Sequence, residues 1–273
     1  MSKTIFYHVG TGKTGTTYLQ YRVFPKLRGI QYIQRTKFRR YPQLIAKSSS
    51  ERILLSREFD QQLEREIKAF TRHYPDTTPI IVFRRHDSYI ASQYRRFVKN
   101  GFRGSFTDFF DLDHDEGRFR QIDLNYQHQI DLLKTYFTQP PLIFIYEDMR
   151  ANPTAFFHTM AGAIGAQLNI DDVNLNPKHT SYSLQQLKFM QQVGRHIDMR
   201  KRRIFDNSLL HFFWKLYLGA IRYSVLYLGK VLPASRFDDR PLIDPEELER
   251  VRTAYAEDWK TVVSLAIRPV VKD

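Results

Sequence analysis

His8-Val9-Gly10-Thr11-Gly12-Lys13-Thr14-Gly15-Thr16-Thr17 decides how this chain is read, because it lies where a buried strand gives way to a helix. Before it, residues 3–9 (KTIFYHV) form a short run of β-branched and aromatic residues; after it, Thr16 to Leu27 is compatible with a helix. Glycines let the backbone curl so that successive N–H groups face one anion. The helix N-terminus adds partial positive charge, and Lys13 adds a full one. Thr14, Thr16 and Thr17 bring hydroxyl donors. A Gly-rich turn with a solvated lysine is the plainer alternative, and the strand–loop–helix context favours the anion site.

Outward from the loop, further apolar runs alternate with helical patterns. Ile53-Leu54-Leu55 precedes a pattern from about Asp60 to Tyr74. Ile80-Ile81-Val82-Phe83 precedes a helix to about Asn100, capped by Asp87 or Ser88. Leu142 to Tyr146 follows a helical stretch over Leu124 to Phe137. The runs are short and do not alternate, as in strands buried on both faces of a parallel sheet. The expected fold is therefore α/β, a central parallel sheet flanked by helices. From about Pro153 the chain reads as helical, over Thr154 to Gly165, Ser183 to Val193, Ser208 to Val231 and Pro245 to Ile267. No repeat is present, and one domain over 1–273 is expected, with a core over 3–165 and a helical cover over 166–273.

The 273 residues carry 42 Lys+Arg against 29 Asp+Glu, a formal charge of +13, and are 42% hydrophobic with no cysteine. Disorder and fibrous architectures are excluded by that apolar content together with only 12 Gly and 12 Pro. Without cysteine there is no disulfide, thiolate metal site or cysteine nucleophile, which fits a reducing compartment and a cytoplasmic location. The apolar run Ile5 to Val9 is too short for a signal-peptide core or a membrane span, so no export is expected. The positive surplus predicts an anionic partner without choosing among nucleotide, polyanion, lipid headgroup and nucleic acid.

The loop is not the G-x-x-x-x-G-K-[ST] of a nucleoside-triphosphate site, since Tyr7 stands where the first glycine belongs. An ATP/Mg-dependent small-molecule kinase is the alternative enzyme, with Glu147-Asp148 as its magnesium-binding acids.

Three motifs in order resemble the sulfotransferases that use 3′-phosphoadenosine 5′-phosphosulfate (PAPS). The H-x-G-x-x-K-x-G-T-T of His8 to Thr17 is similar to their 5′-phosphosulfate loop. Arg84 after the third apolar run, with Ser92 eight residues later, resembles their 3′-phosphate site. Ile143-Phe144-Ile145-Tyr146-Glu147-Asp148-Met149, followed by Asn152-Pro153, resembles a late strand of the family, and Tyr255-Ala256-Glu257-Asp258-Trp259 the last helix of bacterial members. The chain departs from the pattern at His86, where many relatives have proline, and lacks a recognisable late glycine-rich donor segment.

The resemblance implies a P-loop kinase-like fold and transfer of a sulfuryl group from PAPS to a hydroxyl, or an amine, of a carbohydrate, glycolipid or small-molecule acceptor, releasing adenosine 3′,5′-bisphosphate with no metal. Lys13 is then expected on the bridging oxygen and 5′-phosphate, with Gly12, Thr14, Gly15, Thr16 and Thr17 cradling phosphate and sulfate oxygens. Arg84, in preference to Arg85, and Ser92 are expected on the 3′-phosphate. Glu58, after the second apolar run, is the leading general base, with His86 and His8 as alternatives; pairing with Arg57 or capping the next helix is its plainer role.

Between Arg195 and Arg236 nine Lys/Arg face two acids, Asp198 and Asp206. Three readings of the aromatic helix at 204–232 stay open: core against the sheet, a membrane-interfacial helix aided by the Arg200–Arg203 cluster on the inner membrane face, or a lid or dimer surface. Lys215 and Arg222 interrupt any stretch long enough to span a bilayer. A non-catalytic membrane-surface binding protein is the remaining alternative, and no nucleic-acid-reading module is recognisable.

Overall fold

Each short apolar run becomes a strand because it is flanked by turn chemistry and buried on both faces. The computed structural model describes residues 3–176, 182–197, 199 and 205–269. Its sheet has five parallel strands, β1 (Thr4–Gly10), β2 (Gln31–Ile33), β3 (Arg52–Ser56), β4 (Thr78–Phe83) and β5 (Leu142–Ile145), in the order β2-β3-β1-β4-β5. Alternate residues feed two apolar clusters, one per face. Tyr7, Val9, Leu55, Ile81 and Ile145 lie in one, and Phe6, Leu54, Ile80, Val82 and Phe144 in the other. Full burial of each such side chain contributes about 1.5–3 kcal/mol.

The connecting helices are α1 (Thr16–Tyr18), α2 (Tyr41–Lys47), α3 (Leu63–Thr71), α4 (His86–Lys99), α5 (Phe106–Phe109), α6 (Gln121–Leu124), α7 (Tyr126–Tyr136), α8 (Tyr146–Ala151) and α9 (Pro153–Ala163). Later come α10 (Leu184–His196), α11 (Ser208–Val231), α12 (Pro245–Ala254) and α13 (Ala256–Leu265). The chain forms two compact units. One comprises 1–89, 121–176 and 254–273, and the other 90–120 and 177–253.

In the first unit, α3, α7 and α13 cover one face of the sheet through Ile67, Leu133 and Val262, while α9 covers the other through Phe156, Phe157 and Met160. The second unit has an aromatic cluster in which Tyr94 and Phe97 of α4 pack on Phe102, Phe106 and Phe109. It also contains the α10–α11 pair, with Met190 against Val225 and Leu226. At Gly229 a Cβ would come within 3.1 Å of the Gln186 backbone, so the small residue permits the close approach of the two helices.

Several boundaries differ from expectation. α3 begins at Leu63 and ends at Thr71, inside the expected 60–74 span. α4 starts at His86, so neither Asp87 nor Ser88 is its cap. Tyr146 opens α8 instead of closing the fourth apolar run. Asn125 accepts the His128 N–H and splits the expected 124–137 helix, and the chain breaks again at Tyr255. Residues 19–23 are π-helical and 24–26 a 3₁₀ turn, with Pro25 within it. The helix over 208–231 has its expected bounds, and within the second unit it packs on α10. Arg200–Arg203 lie outside the described residues.

Candidate functional site

The strand order puts β1 between β3 and β4, so the segments leaving the C-terminal ends of these three strands converge, the place where open α/β sheets bind ligands. Pairing continues past the strand ends. The Arg57 N–H donates to the His8 carbonyl at 2.8 Å and the Phe59 N–H to the Val9 carbonyl at 2.9 Å. On the other side Thr11 donates to the Val82 carbonyl through its N–H (3.2 Å) and its hydroxyl (3.1 Å).

Within the loop, Lys13 (φ 67°) and Gly15 (φ 78°) take left-handed backbone, which for the lysine costs roughly 1 kcal/mol. Such strain recurs where a loop is shaped for a ligand. At Gly10 (φ 133°) a Cβ would stand 2.9 Å from the Phe59 carbonyl oxygen, and at Gly12 one would stand 2.7 Å from the Asp60 carboxylate. The loop is therefore laid directly on the Phe59-Asp60 segment. Lys13 and Thr17 are exposed. Thr14 is buried and its hydroxyl, expected as a donor, donates to the Thr11 carbonyl at 2.6 Å; Thr16 is also buried.

Arg84 leaves β4 toward this loop. Its Nη1 donates to the Lys13 carbonyl at 3.3 Å, and its guanidinium stacks over Tyr146, 4.8 Å from the ring centroid. The Tyr126 hydroxyl holds the Arg84 carbonyl at 2.6 Å. The guanidinium of Arg85 instead forks onto Asp87 (2.7 and 2.8 Å). Ser92 lies on α4, the helix that begins two residues after Arg84, in the part belonging to the second unit.

Glu58 is largely buried, and its Oε1 has no hydrogen-bond partner; Arg35 stands 3.8 Å from it, an ion pair too long for a hydrogen bond. The expected plainer partner, Arg57, instead places its guanidinium over the Phe38 ring. The two histidines are structural in geometry. His8 is fully buried, shares a 2.8 Å hydrogen bond with Ser56 Oγ, and has its pKa pushed down to about 3 by burial. His86 stacks between Tyr126 and Tyr255 at centroid distances of 4.0 and 4.8 Å and bonds Asp258 at 2.8 Å. Burial lowers its pKa, against the opposing pull of Asp258. Burial favours the neutral Asp258, but hydrogen bonds from His86 and from the Tyr126 and Gln127 N–H groups outweigh that and lower its pKa.

Asp60 and Asp258 escape the sequence reading. Asp60 Oδ1 accepts from the Gly12 N–H at 3.0 Å and from the Tyr89 hydroxyl at 2.9 Å, so a carboxylate holds one of the donors expected to face an anion. Asp258 caps α7 and orients His86 from 172 residues away, and only its place in Tyr255–Trp259 pointed to it.

Of the acids considered for magnesium, Asp148 is ion-paired and Glu147 is engaged through one oxygen, its Oε2 having no hydrogen-bond partner. Glu147 Oε1 accepts the Arg85 N–H at 3.1 Å, and Asp148 pairs with Arg268 at 2.5 Å. Among the described residues no three His, Asp or Glu side chains group as a metal site.

No family model matches the chain, and no curated protein does. Among solved structures, the chain is similar to a sulfotransferase from Alicyclobacillus acidocaldarius, with 14% identity, a TM-score of 0.48, and coverage of 71% of this chain and 93% of that one. A likeness of that size brings no residue's role with it.

Proposed function

We propose that this chain is a PAPS-dependent sulfotransferase acting on a hydroxyl or amine of a carbohydrate, glycolipid or small-molecule acceptor. The observation that carries the reading is the closeness of two cationic elements at one sheet edge: the Lys13 loop and the Arg84 guanidinium, joined by the 3.3 Å bond to the Lys13 carbonyl. A doubly phosphorylated nucleotide needs two such cations at fixed separation, whereas a single-phosphate site needs one.

In this reading Lys13 and the loop N–H groups other than that of Gly12, which Asp60 accepts, hold the 5′-phosphosulfate, and Arg84 holds the 3′-phosphate. Binding energy at the 3′-phosphate orients the donor while taking no part in the bond change. The acceptor oxygen attacks sulfur in line, the bond from sulfur to the bridging phosphate oxygen breaks, and adenosine 3′,5′-bisphosphate leaves. Lys13 offsets the charge gathering on that bridging oxygen, the kind of preorganised stabilisation that dominates group transfer. Glu58, with its unpartnered buried oxygen, takes the acceptor proton.

The test is incubation of the purified chain with sulfur-labelled PAPS and a cell extract, beside Lys13→Ala. Label transfer by the intact chain, reduced about 10³-fold in the variant, supports the reading. Transfer of phosphate from labelled ATP with magnesium, and none of sulfur, overturns it.

A further inference from the structure

The outward face of α11 is apolar along its whole length. Leu209, Phe213, Leu216, Tyr223, Tyr227 and Val231 are between 54% and 67% exposed, and with the exposed Ala220 filling the seven-residue step from Leu216 to Tyr223 they recur every three or four residues. At about 100° per residue they form one stripe roughly 80° wide. The buried residues Leu218, Arg222, Val225, Leu226 and Gly229 fall on the opposite side, where α10 packs. The stripe is therefore what remains after the helix has made its contacts within the second unit. Contiguous exposed apolar surface of this kind marks an interaction site more often than scattered single residues do.

Charge decides what covers it. From Asn207 to Phe237 there is no acid, while Lys215, Lys230 and Arg236 are exposed. Asp206, Asp238 and Asp239 stand just outside, and Asp238 is paired with Lys188. A second copy of this chain would bring the same cations against one another. An anionic lipid surface complements them, accepts the aliphatic and phenyl groups among its acyl chains, and leaves the tyrosine hydroxyls at headgroup level. Arg222 does not share in this, since its Nη1 bonds Asn100 at 2.8 Å within the unit. No described helix is long and apolar enough to cross a membrane.

We infer that the Leu209–Val231 face of α11 docks this protein on an anionic membrane surface, half-immersed and parallel to it. The experiment is flotation of the full chain with vesicles of phosphatidylcholine alone or mixed with phosphatidylglycerol, beside Phe213→Ser/Leu216→Ser/Tyr227→Ser, whose three sites are solvent-facing. Sedimentation velocity is run on both proteins without lipid. The expected result is binding to the mixed vesicles, weaker to the neutral ones, that falls by about tenfold or more in the triple variant. A second variant, Tyr227→Trp, keeps an aromatic ring in place, and the fluorescence it adds over the native chain, which carries Trp214 and Trp259, is expected to be quenched by brominated acyl chains. Absence of binding, indifference to lipid charge, binding undiminished by the triple substitution or an unquenched tryptophan each overturns the inference. So does self-association removed by the triple variant without vesicle binding, which makes the stripe a contact between copies.

Discussion

The sheet of the first unit and helix α11 of the second are built from similar residues and treat them oppositely. In the sheet, Leu54, Leu55, Ile80 and Ile81 are wholly buried, because a pleated ribbon with helices on both faces has no outward side. In α11, Leu209 is 65% and Tyr227 67% exposed, because a cylinder covered on one side by α10 keeps the other side open. Apolar content thus measures a tendency to leave water, while burial depends on how many faces of an element find partners. Polar groups show the same contrast. The loop carbonyls and N–H groups beside β1 are bonded to Asp60, Arg84, Thr14 and Val82, whereas α11 presents hydrocarbon with cations on its flank.

The largest effect is expected inside the sheet. Leu55→Ala, which opens a cavity at a wholly buried site, should lower unfolding free energy by about 3 kcal/mol, read by denaturant titration. A loss below about 1 kcal/mol would mean the interior collapses as freely as the α11 surface.

Next, Glu58→Gln keeps the shape of the side chain and removes its proton-accepting charge. Turnover should fall about 10²-fold while the dissociation constant for adenosine 3′,5′-bisphosphate stays within about twofold. Undiminished turnover would make the Glu58–Arg35 pair structural and move the base elsewhere.

A smaller effect follows from His8. Burial lowers its pKa from 6.5 to about 3, so the folded chain keeps it neutral where the unfolded chain takes up a proton. Stability owed to neutral His8 is full above 6.5 and is lost at up to ~1.4 kcal/mol per pH unit as pH falls toward 3. Unfolding measured at pH 7.5, 6, 5 and 4 should show a shallower acid slope in His8→Asn than in the native chain. His86 shifts in the same direction in both proteins, so the difference between slopes isolates His8.

The smallest effect is on α11, where Leu216→Ser should change stability by no more than about 0.5 kcal/mol, since the side chain is 54% exposed. A loss as large as that of Leu55→Ala would show that the stripe is covered within the chain itself.

Much of this contrast is written in local sequence, and the remainder is not. β1, β3, β4 and β5 are readable as compact apolar runs between turns, and Lys13, Arg84 and Glu58 stand out because each follows a strand with chemistry a strand interior does not need. β2 has three residues, Gln31-Tyr32-Ile33, with Gln31 exposed, too brief and too polar at its start for a pattern to register. The break at Tyr255 carries neither glycine nor proline, so α12 and α13 read as one helix. Asp60 and Asp258 owe their roles to contacts across 48 and 172 residues, which no window along the chain contains. The sidedness of α11 depends on where α10 lies, and composition alone leaves core and surface equally open.

The account rests on Lys13 and Arg84 serving one nucleotide, and calorimetry with adenosine 3′,5′-bisphosphate and adenosine 5′-monophosphate addresses it most directly. The native chain should prefer the bisphosphate by at least about tenfold, the worth of one charge-assisted phosphate contact, and Arg84→Ala should bind the two nucleotides alike. An Arg84→Ala protein that keeps the full preference, or a native chain with none, would contradict it.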